Sequence, residues 1–452
     1  MKQQPNDLTL IEVLNLLRDN VSSNVFENDK ISVFEILNGI NKFSYNGTLD
    51  DQDIHNYKLI IDYSKIDSVY ASLGNIKFDI FIKEISDGLI LTTNKSIKYK
   101  TTIVAKDTQH LKKLIRKEIK LHGLNCNLNH IDVSAVTSMS LLFFQTQFNG
   151  DISLWDTSNV TSMRSMFCWS YFNGDISKWN VSRVFDMHSM FEKSMFNGNI
   201  SQWNTADVED MSEIFMNSIF EGDISNWDVS KVKKMTKMFH KSVFNGDLSK
   251  WNTSKLIDMK GIFNDSYFNN NIANWDVSKI EDMRNIFENS MFNGDISNWN
   301  VSNVKYMPNM FKNSMFNGDI SKWNVSKVIE MYGMFENSNF NGDISNWDVS
   351  NVGTMTQMFM NSDFNGDISK WNVSKIFSIR KMFYKSNFEG DLSNWTLYNL
   401  DNLKEDMFSE SKAPIPYWYL IEDKEVRKKA IAAYQLDKKL PIKKNAGKKN
   451  KL

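Results

Sequence analysis

Eleven tryptophans recur at a fixed spacing of 24 residues: Trp155, Trp179, Trp203, Trp227, Trp251, Trp275, Trp299, Trp323, Trp347, Trp371 and Trp395. No insertion or deletion breaks the count. A strict period is what stacked repeats require and what independent domains would not produce. The spacing constrains the architecture before any motif is considered, because most of the chain is one small unit copied many times.

One unit runs from Phe316 to Asn339, FNGDISKWNVSKVIEMYGMFENSN. Taking the phenylalanine as position one, position five is Ile or Leu, position eight Trp, position thirteen Val, Leu or Ile, and positions nineteen and twenty Met-Phe or Ile-Phe. Val328, Met331, Met334 and Phe335 follow the i, i+3, i+6, i+7 spacing of one helix face. Ser326 stands ahead of them where an N-cap would. Asp319–Trp323 is too short for a helix and follows the Asn317-Gly318 turn signal, so it reads as a short strand. Each unit is then turn, strand, turn, short helix. One unit alone buries too little apolar surface to fold; stacked units bury one another's faces. The expected fold is an α/β repeat solenoid of short parallel strands and short helices.

The segments FNGDISNWDVSNV (Phe340 to Val352), MFENS (Met334 to Ser338) and LNHIDVSAVTSM (Leu128 to Met139) resemble the BspA-like leucine-rich-repeat group of bacterial surface proteins, abundant in mycoplasmas. The resemblance covers residues 124–411. It implies a right-handed leucine-rich-repeat-like stack and a surface-exposed or lipid-anchored protein that binds host or partner proteins, an adhesin without enzymatic chemistry.

Outside the repeats, residues 1–97 lack the period and read as a small α+β domain, with helical stretches at Leu8 to Leu17 and Ile31 to Ile40 and alternating segments such as NIKFDIFIKEI and LILTTN. Residues 98–123 read as a linker strand and an N-terminal capping helix ending at Gly123. Residues 124–411 hold about eleven repeats behind a partial first unit with Ile131 in the tryptophan place. Residues 412–437 read as a C-terminal capping helix, and the lysine-rich 438–452 as a disordered tail. The first twenty residues form an amphipathic pattern and not a signal peptide, so the expected location is cytoplasmic, whereas the resemblance points to the cell surface. No apolar run is long enough for a transmembrane segment. Cys126 and Cys168 are the only cysteines, too few for a disulfide framework.

A formal net charge of −1 gives no global pull toward nucleic acid, and acids such as Glu209, Asp210, Glu281 and Asp282 are mixed through the variable columns. No catalytic, cofactor or metal arrangement is legible among the six histidines. The aspartates at position four either cap their own turns or bridge calcium; asparagine at Asn199 and Asn271 favours capping. The units differ at positions fourteen, seventeen and twenty-one. Phe185, Ile257, Ile329 and Phe377 share position fourteen, and Trp169, Tyr306, Tyr332 and Tyr384 stand at other drifting places. These eight are the candidate partner-binding residues, against the alternative that they fold back onto neighbouring coils. The expected function is a non-enzymatic scaffold that binds a protein of unspecified identity through the solenoid flank; the alternative is the adhesin. No nucleic-acid specificity or oligomeric state follows from the sequence.

Overall fold

The computed structural model describes residues 8–9, 57–60, 81–84, 103–398, 400 and 406–439. The chain divides into two compact units, Met1–Ile103 and Val104–Leu452. In the first, strands β1 (Leu8–Thr9), β2 (Tyr57–Ile60) and β3 (Phe81–Glu84) form an antiparallel sheet, with Leu8 opposite Leu59 and Ile60 opposite Phe81. Leu8–Thr9 is thus strand where a helix was expected to begin, because pairing with β2 overrides the weak local preference. The rest of that helix, the one at Ile31 to Ile40 and the LILTTN segment lie outside the described residues.

The second unit opens at Val104, the second residue of β4 (Ile103–Val104), which pairs with β5 (Ile131–Asp132), and continues into helix α1 (Thr108–His122). Asp107 caps α1 by accepting from the His110 amide at 2.8 Å, and Gly123 ends it. Its buried face carries Leu111, Leu114, Ile115 and Glu118. Tandem 24-residue units follow, each hydrogen-bonded to the next. Isolated parallel bridges join position fifteen of successive units, as Glu330 with Thr354 and Thr354 with Ser378.

Inside a unit the structure corrects the expected strand and helix. Asp319–Trp323 is a turn: the Trp323 amide donates to the Ile320 carbonyl at 3.2 Å, while Asp319 Oδ1 accepts from the Ser321 amide at 2.9 Å. A second turn closes from Val328 to Val325, with Asn324 Oδ1 accepting from Ser326. The Ser326 column therefore caps no helix. The stretch read as a helix is a chain of turns whose amides at positions sixteen, eighteen, twenty and twenty-two donate to the next unit: Met331 to Thr354, Gly333 to Thr356, Phe335 to Met358 and Asn337 to Met360, at 2.8–3.2 Å. Positions eighteen and twenty-two are left-handed in unit after unit, with φ of 50–59°. A left-handed L-residue ends a right-handed helix after one turn. The apolar spacing survives because each short turn brings positions thirteen, sixteen, nineteen and twenty back inside, where Val328, Met331, Met334 and Phe335 are fully buried.

Three aromatic columns fill the interior. The position-one phenylalanines stack at 6.2–6.4 Å, as Phe148 on Phe172 and Phe172 on Phe196, and the position-twenty ones at 5.5–6.0 Å, as Phe143 on Phe167 and Phe215 on Phe239. The tryptophans stack at 6.2–6.5 Å, as Trp155 on Trp179 and Trp371 on Trp395. Each of the eleven indole N–H groups donates to the position-five carbonyl of the preceding unit, Trp323 to Ile296 at 3.2 Å for example, so the buried donor is satisfied.

The column does not stop at Trp395. A 3-10 turn (Tyr417–Leu420) inserts Trp418, whose indole donates to the Leu392 carbonyl at 2.9 Å. Helix α2 (Lys424–Lys439) follows, with the buried Arg427 guanidinium donating to the Leu400 and Ile421 carbonyls. The helix extends into the stretch read as a tail; residues 440–452 lie outside the described residues. Among the described residues no helix is long and apolar enough to cross a membrane.

Candidate functional site

Between positions twenty-two and five the backbone alternates side chains out and in, the period of extended chain. In one unit Asn289, Met291, Asn293 and Asp295 face solvent, while Ser290, Phe292 and Ile296 are buried. Repetition turns this into a face of four parallel columns. The second column, position twenty-four, is Tyr171, Met195, Ile219, Val243, Tyr267, Met291 and Met315 in seven consecutive units, each 38–64% exposed. The next three residues in it are Asn339, Asp363 and Asn387.

Mostly polar columns border this apolar row. On one side position twenty-two is mixed (Trp169, Lys193, Asn217, Lys241, Asp265) and becomes an asparagine ladder only at the end of the row, where Asn313, Asn337 and Asn361 each donate Nδ2 to the Oδ1 of the asparagine one unit earlier, at 2.6–2.9 Å. On the other, the amides of Asn317, Asn341 and Asn365 donate to the preceding asparagine Oδ1 at 2.8–2.9 Å. Beyond lies the aspartate column. Each carboxylate accepts from its own turn, Ser321, Ser345 and Ser369 donating at 2.9 Å, and that backbone bond holds Asp319, Asp343 and Asp367 below the usual carboxylate range. The turn occupies these acids, and their charge stays on the surface. Among the described residues, no three or more His, Cys, Asp or Glu are grouped to hold a metal.

The eight sequence candidates do not converge. Trp169 lies in the position-twenty-two column beside Tyr171, with Lys193 Nζ 3.8 Å from its ring centre. Phe185, Ile257, Ile329 and Phe377 are exposed, but charged residues interrupt them: Glu209 and Lys233 after Phe185, Glu281 and Lys305 after Ile257. Phe377 leans over the preceding unit, against Gly353. Tyr332 is exposed in another column; Tyr306 and Tyr384 are half-buried, under Arg284 and hydrogen-bonded to Glu410 respectively. Sequence reasoning missed the row at position twenty-four. Its signal was present, seven apolar residues in succession at one position, but that position sits at the seam between units, next to the buried position-one Phe and outside the varying positions fourteen, seventeen and twenty-one.

With this geometry in hand, the family profile described as "Mycoplasma protein of unknown function, DUF285" matches residues 109–218, 169–268, 258–361 and 314–415. The chain belongs to this family. The overlapping DUF285 matches begin within α1 and span every unit that carries the apolar row. No curated protein and no solved structure matches the chain.

The DUF285 aspartates carry a pH prediction. Their folded pKa lies below the ordinary 3.8, so the stability they contribute is present above that value and lost as pH falls through the folded pKa. Thermal unfolding should show a midpoint that drops steeply below about pH 4. Replacing Asp319, Asp343 and Asp367 with Asn should flatten that drop, because Asn199 and Asn271 already accept the same turn bond at 2.9–3.0 Å. An unchanged acid profile would show that the turn bonds do not set it.

Proposed function

We propose that this chain is a non-enzymatic repeat scaffold, a leucine-rich-repeat-like solenoid, whose position-twenty-four row binds a protein partner. The observation that carries the reading is the row itself: seven exposed apolar side chains in register on one extended face. Scattered exposed apolar residues need no explanation, whereas a contiguous row with polar borders is the signature of a contact surface. Asparagine lines one border with acid beyond it, and the other border mixes Lys193 and Lys241 with Asp265 and asparagine, so the fitting partner presents apolar side chains with basic residues on the side of the aspartate column. The aspartate column disfavours nucleic acid and anionic lipid.

A second reading draws on the BspA-like segments: the same face acts outside the cell as an adhesin. Two experiments test these readings. A photo-crosslinking residue at Tyr267, in chain expressed in its own host, should give one discrete protein adduct, and the same residue at the exposed Lys322 should give none. Serine at Ile219 and Met315 should abolish the adduct. Equal adducts from both sites would sink the row. If protease applied to intact cells leaves the chain whole, the adhesin reading fails and the scaffold acts inside.

A further inference from the structure

The position-fourteen column, where charged residues alternate with apolar ones, has an order of its own. From one end to the other the exposed side chains are Phe185, Glu209, Lys233, Ile257, Glu281, Lys305 and Ile329. Read backwards, the column opposes apolar to apolar, Glu to Lys and Lys to Glu at all seven places. From this we infer that two copies of the chain pair side by side, antiparallel, about a two-fold axis at Ile257. Phe185 then meets Ile329 of the second copy, Glu209 meets its Lys305, Lys233 meets its Glu281, and Ile257 meets Ile257. One unit further out Thr161 opposes Gly353, both small. A parallel pairing would set Glu against Glu and Lys against Lys.

A second copy is the occupant that fits for two reasons. Its units rise by the same step, so the register holds along the whole column; a helix at about 1.5 Å per residue or a strand along the axis at about 3.3 Å has no such match. The charges also retain capacity. Lys233 Nζ lies 2.8 Å from Glu209 and Lys305 Nζ 2.8 Å from Glu281, with all four side chains 44–61% exposed. An ammonium has three donors and a carboxylate two oxygens, so each can take a second partner across the axis. Two four-charge squares then flank the central isoleucines. An open depression of about 210 Å³ runs along Phe185, Glu209 and Lys233 and their neighbours Asp186, Asp210 and Lys234, on the stretch that the second copy would cover.

The neighbouring columns set the width of the contact. At position fifteen Lys234 meets Asp282, Asp210 meets Tyr306 and Ser162 meets Thr354, while Asp186 meets Glu330 unfavourably. Asp258 meets itself but is held by Lys260 at 3.1 Å. At position twelve Lys231 would face Lys279, so that column stays in solvent at the rim. The pairing uses a different face from the apolar row and stands or falls apart from it.

The test is disulfide trapping on the full chain under mild oxidation. Cys126 and Cys168 are buried, and burial, followed by Glu192, pushes the Cys168 thiol up to about 12, so the background is low. Ile257→Cys, on the axis, should cross-link to itself. Glu209→Cys alone should not, but a mixture of Glu209→Cys and Lys305→Cys chains should. Sedimentation of the unmodified chain should show a dimer whose dissociation constant rises at least about tenfold between 0.1 and 1 M salt. A chain monomeric throughout, or a Glu209→Cys homodimer forming as readily as that of Ile257→Cys, overturns the inference.

Discussion

Replacing Phe287 with alanine should split the repeat stack into two separately unfolding halves. Phe287 is fully buried, 4.3 Å from Phe292, 5.9 Å from Phe263, 5.7 Å from Phe311 and 6.0 Å from Trp299 between ring centres. Removing a buried phenylalanine costs about 3–5 kcal/mol. In a repeat array each unit is held mainly by its two neighbours, so the whole loss falls on one pair of interfaces near the middle. Urea unfolding followed by tryptophan fluorescence should change from one transition to two. Phe377→Ala, at a side chain 65% exposed, should leave the curve within about 0.5 kcal/mol of the parent. A single shifted transition for Phe287→Ala would mean that the stack is coupled over longer distances than neighbouring contacts supply.

The second large effect belongs to Trp418. It is fully buried and its indole donates to Leu392, taking the part that each column tryptophan plays for the unit before it. Trp418→Ala should cost about 3–5 kcal/mol for the lost ring, while the Leu392 carbonyl keeps the Trp395 amide as its remaining donor. The loss sits at one end, so the last units should fray while the middle holds. Hydrogen exchange should show the Trp395 amide, bonded to Leu392 at 3.0 Å, losing protection while the Trp275 amide keeps it. Trp169→Ala, at a half-exposed ring under Lys193, should cost only about 0.5–1 kcal/mol. Equal effects from the two tryptophans would argue against Trp418 as the closing member of the column.

The contrast between these two tryptophans shows where the sequence was readable. The 24-residue period and the Phe, Trp and Met-Phe columns were plain, because a buried position tolerates few residue types and repetition displays the restriction eleven times. Trp418 escaped because it falls one residue short of the period, where the chain leaves the last unit. The false helix has a different cause. Val328, Met331, Met334 and Phe335 have helical spacing, but the spacing reports only that every third or fourth side chain turns inward. The deciding feature is the left-handed backbone at positions eighteen and twenty-two, and residues such as Ser165, Glu213 and Lys237 carry no preference for it. Gly261, Gly333, Asn285 and Asn309 at position eighteen, and Asn217, Asn289, Asn313, Asn337 and Asn361 at position twenty-two, were the hints. At the surface, the exposure of Phe185, Ile257, Ile329 and Phe377 was foreseeable. That Glu and Lys alternate between them in a palindromic order acquires meaning only once the units are stacked in register.

The left-handed residues also give the stack a direction. Along the face they shape, four amides in each unit point toward the following unit and four carbonyls toward the preceding one, while elsewhere the position-fourteen amide points back, as Ile329 to Lys305, so the peptide dipoles leave a net direction along the stack. A body built this way has a donor end and an acceptor end. Two identical ends brought together would oppose like with like. End-on contact between copies is therefore favoured head to tail, which builds an open fibre unless the rotation closes a ring. Closed pairs must form flank to flank, and Trp418 and Arg427, packed over the last unit, leave little room for the open alternative.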